Sequence, residues 1–216
     1  MALSDAHMGE QTLSPAAYLK PIPLEDTMSD YILHTKETAP DAAKPLFDEY
    51  VTKFGFVPNL IAKMSTSPAL AEAYLQMSGL GAKTGLTPVE RQVVYQSLNF
   101  EANCTYCVAA HSRISEFDGV PAEITDALRK GEALPDAKLN ALSKFAKEAR
   151  AVHGHVSKAQ QEALFAAGYD KSHVLDIIVL LATKVLSNAT NYIAETPVDE
   201  AFSAHAWQKP VAAAAE

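Results

Sequence analysis

Cysteine is almost missing from this chain: 216 residues contain two. That excludes a disulfide scaffold, which a chain of this length does not need. The two, Cys104 and Cys107, stand three residues apart, and a disulfide closing so small a loop would constrain the unfolded chain very little. Basic residues are also scarce, 18 Lys and Arg against 26 Asp and Glu, for a formal net charge of −8. Nucleic acid is therefore not an expected partner, because phosphate binding needs a basic face. Long apolar runs are missing too. The greasiest stretch, Ile177 to Ala182, is bounded by Asp176 on one side and by Thr183 and Lys184 on the other, so no membrane partner is expected. The N-terminal MALSDAHMGEQ lacks the basic and apolar regions of a secretory signal, which makes a cytoplasmic location the default. No short-period repeat, no GxxxxGK(S/T) or GxGxxG loop, and no strand-like alternation beyond four residues occurs.

What is present reads as helix. Residues 1–40 hold Pro15, Pro21, Pro23 and Pro40 without sustained periodicity, and are read as an arm wrapping the body or a partner subunit. Residues 41–208 form the helical domain, and 209–216 a disordered, Ala-rich tail. Leu46, Phe47, Tyr50, Val51 and Phe54 give an apolar stripe over Asp41 to Phe54. A short helix follows over Asn59 to Met64. Ser67-Pro68 opens a helix to about Leu80. Thr87-Pro88-Val89-Glu90 is a capping box opening the next. Asn103 is the expected cap of a helix from Cys104 to Phe117. Further helices are expected over Ala122 to Lys130 (stopped by Gly131), Asp136 to Val152, and Ser157 to Ala167. A long one, capped by Ser172 and running to about Ala194, is apolar on most faces and belongs to a core or an interface. Pro197 ends it and allows a last short helix to Trp207. The expected fold is all-α, with roughly nine or ten helices and short connections.

The chemistry-bearing stretch is Glu101 to His111, EANCTYCVAAH. On a helix, Cys104 and Cys107 project from one face at i and i+3. An Asn103 cap would place both in the first turn or so, where unpaired N–H groups favour a thiolate. His111, four residues after Cys107, is spaced to act as base on that thiol. Glu101, three before Cys104, is a candidate to orient His111 or pass it protons. A thiolate that cleaves an O–O bond becomes a sulfenic acid, and a second cysteine condensing with it protects it from over-oxidation. Tyr106 is a candidate site-lining residue or packing. Asn188 and Asn191 are candidates to close hydrogen bonds around the site, or to satisfy a helix end.

The run LTPVERQVVYQSLNFEANCTYCVAAH (Leu86 to His111) resembles the core of the carboxymuconolactone decarboxylase and alkylhydroperoxidase D-like superfamily. FGFVPNLIAKMSTSPALAEAYLQM (Phe54 to Met77) and VLLATKVLSNATNYIAETPVDEAF (Val179 to Phe202) resemble its peroxidase-related branch. The resemblance spans most of residues 45–205. It implies an all-α fold, a homo-oligomer (trimer or hexamer), and thiol-dependent reduction of hydrogen peroxide or organic hydroperoxides with a thiol or dithiol-protein reductant. It also implies that Cys107 attacks the peroxide, Cys104 resolves the sulfenate and His111 relays protons. The family's relay glutamate, twelve residues before the first cysteine, is Gln92 here. An amide cannot serve as acid or base, so either Glu101 takes that role or peroxidase activity is weak.

Rival readings follow from the same residues. A zinc site needs three or four ligands, and a closed structural one four. Cys104, Cys107 and His111 supply three, and no second CxxC or HxxxH completes the set, so neither metal nor cofactor is expected. His153 and His155 fall in an interhelix loop and are read as surface residues. A lyase or isomerase would use His111 and Glu101 on a small carboxylated substrate, with the thiols incidental. A non-enzymatic redox sensor would change assembly with a Cys104–Cys107 disulfide.

Overall fold

The computed structural model describes residues 30–211. The arm expected over 1–40 lies outside the described residues up to residue 29, and the expected tail from residue 212 on. Among the described residues the regular elements are all helical: α1 (Lys44–Phe54), α2 (Asn59–Met64), α3 (Pro68–Gly81), α4 (Pro88–Glu101), α5 (Thr105–Phe117), α6 (Ala122–Lys130), α7 (Ala137–Ala151), α8 (Lys158–Ala166) and α9 (Lys171–Ile193). A 3-10 turn, Asp41–Ala43, precedes α1, and another, Glu200–His205, follows α9.

Local chemistry sets most boundaries. The capping boxes at Thr87 and Ser157 form on both sides, side chain to backbone and back, each worth about 1 kcal/mol relative to alanine. Gly131 stops α6 in the left-handed region at φ 74°. Two expected caps are replaced. The cap of α9 is Asp170, whose carboxylate accepts the N–H groups of Ser172 and His173; Ser172 lies inside the helix. The cap of α5 is Cys104, and Asn103 sits one residue earlier at φ 52°, a left-handed conformation that asparagine tolerates. The α1 stripe is narrower than expected: Leu46, Phe47 and Tyr50 are buried, while Val51 and Phe54 face outward.

Two apolar clusters hold the helices together. One joins α4, α6, α7, α8 and α9 through residues such as Val93, Leu98, Leu142, Phe145, Ile177 and Leu180. The other joins α1, α2, α3 and α5 and contains Ile61, Met64, Tyr106, Phe202 and both cysteines. Each fully buried leucine, isoleucine or phenylalanine contributes roughly 1.5–3 kcal/mol. The long helices α4 and α9 pack on one another and on α5, and the dithiol lies where the three meet. By length and composition α9 alone among the described helices could cross a membrane. Its inner face packs against α3 and α4 and carries a buried polar stripe, while its outer face is exposed.

Candidate functional site

The turn between α4 and α5 places the sulfurs. Helix α4 ends at Glu101, Asn103 reverses the chain, and the Cys104 N–H donates back to the Asn99 carbonyl at 3.1 Å. Cys104 then caps α5, its Sγ accepting the Cys107 N–H at 3.3 Å. Both cysteines are free thiols, 7% and 2% exposed, and they hydrogen-bond to one another. The sequence-expected pairing of the two sulfurs on one helical turn is thus present.

Buried polar side chains on α4 fix α5 in place. Gln92, Gln96 and Asn99, spaced i, i+4, i+7, face it. Asn99 Nδ2 donates to the Cys107 carbonyl at 3.3 Å, and Gln96 Nε2 to the Val108 carbonyl at 3.3 Å and Ser112 Oγ at 3.2 Å. Helix α9 supplies the opposite wall. Thr183, Lys184, Ser187, Asn188 and Asn191 are all buried. Asn191 Nδ2 lies 3.1 Å from Cys107 Sγ and 3.7 Å from Cys104 Sγ, and Ser187, whose hydroxyl donates to the Thr183 carbonyl at 3.3 Å, is buried on the same face. Asn188 shares this face, and neither of its amide atoms has a partner.

His111 is held by other partners than the thiols. Among the described residues no hydrogen bond joins it to either sulfur. Its Nδ1 lies 2.8 Å from Gln92 Oε1 and its Nε2 3.3 Å from Lys184 Nζ. The proton positions follow from the ends of the chain. Gln92 Nε2 donates to the Asp118 carboxylate at 2.8 Å, so Oε1 faces His111 and must accept from Nδ1–H. An ammonium has no lone pair, so Lys184 donates to Nε2. Burial, and then the Lys184 charge, hold the His111 pKa well below its usual value. The imidazole is therefore a neutral acceptor for Lys184, and its expected role as base on Cys107 is corrected accordingly.

Lys184 is 1% exposed. Its charge acts on Cys107, whose ionisation reflects opposing effects. Burial pushes the thiol up, but the Cys104 hydrogen bond, the Lys184 ammonium, Asn191 and Ser187 together bring it below the usual thiol range. Cys104 moves the other way, raised first by its hydrogen bond to Cys107 and then by burial. The two directions make Cys107 the more acidic thiol of the pair.

Two further expectations change. Glu101 is exposed at the end of α4, 3.8 Å from Lys147 Nζ, and is not brought to His111. Tyr106 spends its hydroxyl elsewhere: it donates to Asp199 Oδ2 at 2.6 Å and accepts the Leu60 N–H at 3.3 Å. It thereby ties α5 to the C-terminal segment. That segment is also strapped down by Arg129, which donates to the His205 and Ala206 carbonyls, and by Trp207 Nε1 on the Arg129 carbonyl. Asn103 shapes the turn rather than capping the helix. His153 and His155 are exposed, as read from the sequence.

No protein-family model and no curated protein matches the chain. Solved structures do. The alkylhydroperoxidase AhpD core of an uncharacterized peroxidase-related protein from Ralstonia eutropha JMP134 superposes with a TM-score of 0.71 at 23% identity, covering 82% of this chain and 96% of that one. An uncharacterized peroxidase-related protein from Silicibacter sp. TM1040 gives 0.67 at 21% identity, covering 83% and 95%. The chain has the alkylhydroperoxidase D-like fold. The debrominase Bmp8, solved as a cysteine-to-alanine variant with 2,3,4-tribromopyrrole, shares this AhpD-like architecture with a TM-score of 0.66 at 20% identity, covering 84% and 96%. Within the fold, position 92 carries an amide that orients the histidine, and the buried ionisable group nearest it comes from α9. Sequence reading passed over Lys184 as an interruption of an apolar run. The signal was there: a lysine inside the longest apolar helix, followed by polar residues at i+3, i+4 and i+7.

Proposed function

We propose that the chain is a thiol-dependent peroxidase. The observation that carries this reading is the pair of free sulfurs brought together at the start of α5, Cys104 Sγ accepting the Cys107 N–H and Asn191 Nδ2 standing 3.1 Å from Cys107 Sγ, with the Cys107 thiol lowered and the Cys104 thiol raised. The Cys107 thiolate attacks one peroxide oxygen; an S–O bond forms, the O–O bond breaks, and the alkoxide or hydroxide that leaves takes up a proton to become the alcohol or water. The Cys104 thiol then displaces hydroxide from the sulfenic acid, giving the disulfide, and a thiol or dithiol protein reduces it. Burial of the sulfurs suits a small acceptor, and a cytoplasmic setting suits a disulfide that must be reduced after each turnover. The lyase reading needs a His111–Glu101 pair, and Glu101 stands instead beside Lys147. The test is peroxide consumption with a dithiol donor. Wild type is expected to turn over and Cys107→Ser to fall to background; equal rates would overturn the reading.

A homo-oligomer belongs to the same proposal. The outer face of α9 exposes Leu175, Ile178, Ala182, Val185, Ala189 and Tyr192, spaced 3, 4, 3, 4, 3 like a coiled-coil seam. A second α9 related by a two-fold axis offers it an identical stripe. A hexamer of dihedral symmetry contains two-fold contacts and a cyclic trimer contains none, so the hexamer fits. Light scattering is expected to give six chains for wild type and three for Ile178→Glu/Val185→Glu. A single-chain mass for wild type would refute it.

A further inference from the structure

We infer that Lys184 is the proton donor to the departing oxygen in peroxide reduction; Gln92 is an amide, the Asp118 carboxylate stands behind it, and Glu101 lies beside Lys147. The inference rests on the peroxidase reading and names a catalytic residue within it.

Lys184 is a buried cation, 1% exposed, whose charge acts on Cys107; its Nζ is held by His111 Nε2 at 3.3 Å and faces the Tyr95 ring at 5.8 Å, and Asn191, seven residues on along the same buried face of α9, touches Cys107 Sγ. The arrangement behind it is rigid. Asp118 sets the Gln92 amide, Gln92 sets the His111 tautomer, and His111 presents a lone pair to the ammonium. Tyr95, whose ring packs 5.0 Å from His111, keeps its place because residue 81 is glycine: a Cβ there would stand 2.5 Å from Tyr95 Oη. One α9 turn onward, the unpartnered Asn188 amide offers a donor and an acceptor to a bound hydroperoxide.

Protons and electrons balance through Lys184. The Cys107 thiolate takes one oxygen of ROOH, the O–O bond breaks, and the Lys184 ammonium protonates RO⁻ to ROH, leaving a neutral amine. That amine accepts the Cys104 proton. The Cys104 thiolate attacks the Cys107 sulfenic acid, the S–O bond breaks, and hydroxide leaves as water with the proton from Lys184. Two thiols of the reductant return the dithiol, and one of their two protons restores the ammonium as Cys107 ionises.

The experiment compares tert-butyl hydroperoxide, whose alkoxide needs a proton to leave, with peracetic acid, whose acetate leaves without one. Rates are taken at a pH where absorbance at 240 nm shows the Cys107 thiolate complete in each protein. Lys184→Met is expected to lose about a hundredfold or more with tert-butyl hydroperoxide, the range of general acid catalysis, and less than about tenfold with peracetic acid. Lys184→Arg, whose guanidinium keeps its charge but does not release its proton, is expected to show the same selective loss, and it guards against misfolding of the methionine variant. Equal losses with both oxidants, or no loss, in a variant with native circular dichroism would overturn the assignment while leaving the peroxidase reading intact. A wild-type protein that consumes neither oxidant would overturn both.

Discussion

In the Cys104→Ser protein, peroxide is expected to disappear only stoichiometrically, one equivalent per chain for each oxygen that Cys107 gains, whatever the excess of dithiol protein. Cys107 retains its attack on oxygen, because Lys184, Asn191 and Ser187 still surround it. The sulfenic acid it forms has lost the neighbour that would condense with it. Serine cannot form the disulfide, and burial of Cys107 at 2% exposure keeps an outside protein thiol from substituting. Further peroxide then carries the sulfur to the sulfinic acid, a step that ordinary thiols do not reverse. Mass spectrometry should show gains of one and then two oxygens on Cys107. The first turnover should also slow, since the hydrogen bond from Cys104 is among the interactions that lower the Cys107 thiol. Continued turnover in this variant would contradict the assignment of Cys104 as the resolving thiol.

The largest stability effect is expected at Gly131. Its φ of 74° is left-handed, and an added Cβ would lie 2.2 Å from the Phe100 ring. That ring has little freedom to yield, with Lys209 4.4 Å from its centroid, Lys147 at 5.3 Å and Trp207 at 5.9 Å. The backbone conformation costs a non-glycine residue about 1 kcal/mol and overpacking about 2 kcal/mol more. Gly131→Ala should therefore lower Tm by roughly 6–12 °C for a chain of this size. Gly119→Ala is the control: φ is 71°, but nothing lies within 4 Å of the added carbon, and only the smaller, conformational loss should appear. Equal shifts in the two variants would show that the Phe100 contact is not what Gly131 accommodates.

Helix existence was legible in the sequence because caps and apolar spacing are local. The bounds of α2 and α6 follow from Pro58, Gly131 and the apolar pattern alone. The dithiol was equally local, two cysteines on one turn. What spacing along the chain could not reveal was which helix faces which. Glu101 looked like a neighbour of the cysteines by counting, yet Asn103 at φ 52° interrupts the helical phase between them, and the carboxylate turns to Lys147. His111 counted correctly to the face of Cys107, but its ring is captured by Gln92 and Lys184, one from the preceding helix and one from 73 residues away. The polar residues of α9 were readable as a stripe; that the stripe meets the sulfurs was a matter of packing.

The C-terminal strap has a consequence for synthesis. Tyr106 is fastened to Asp199, 93 residues later, and Phe202 belongs to the same apolar cluster as both cysteines. On the ribosome, the two thiols leave the exit tunnel long before their cover does. A nascent chain thus displays an unsheltered dithiol, which is expected to become resistant to alkylating reagents only once the segment around Asp199 and Phe202 has emerged.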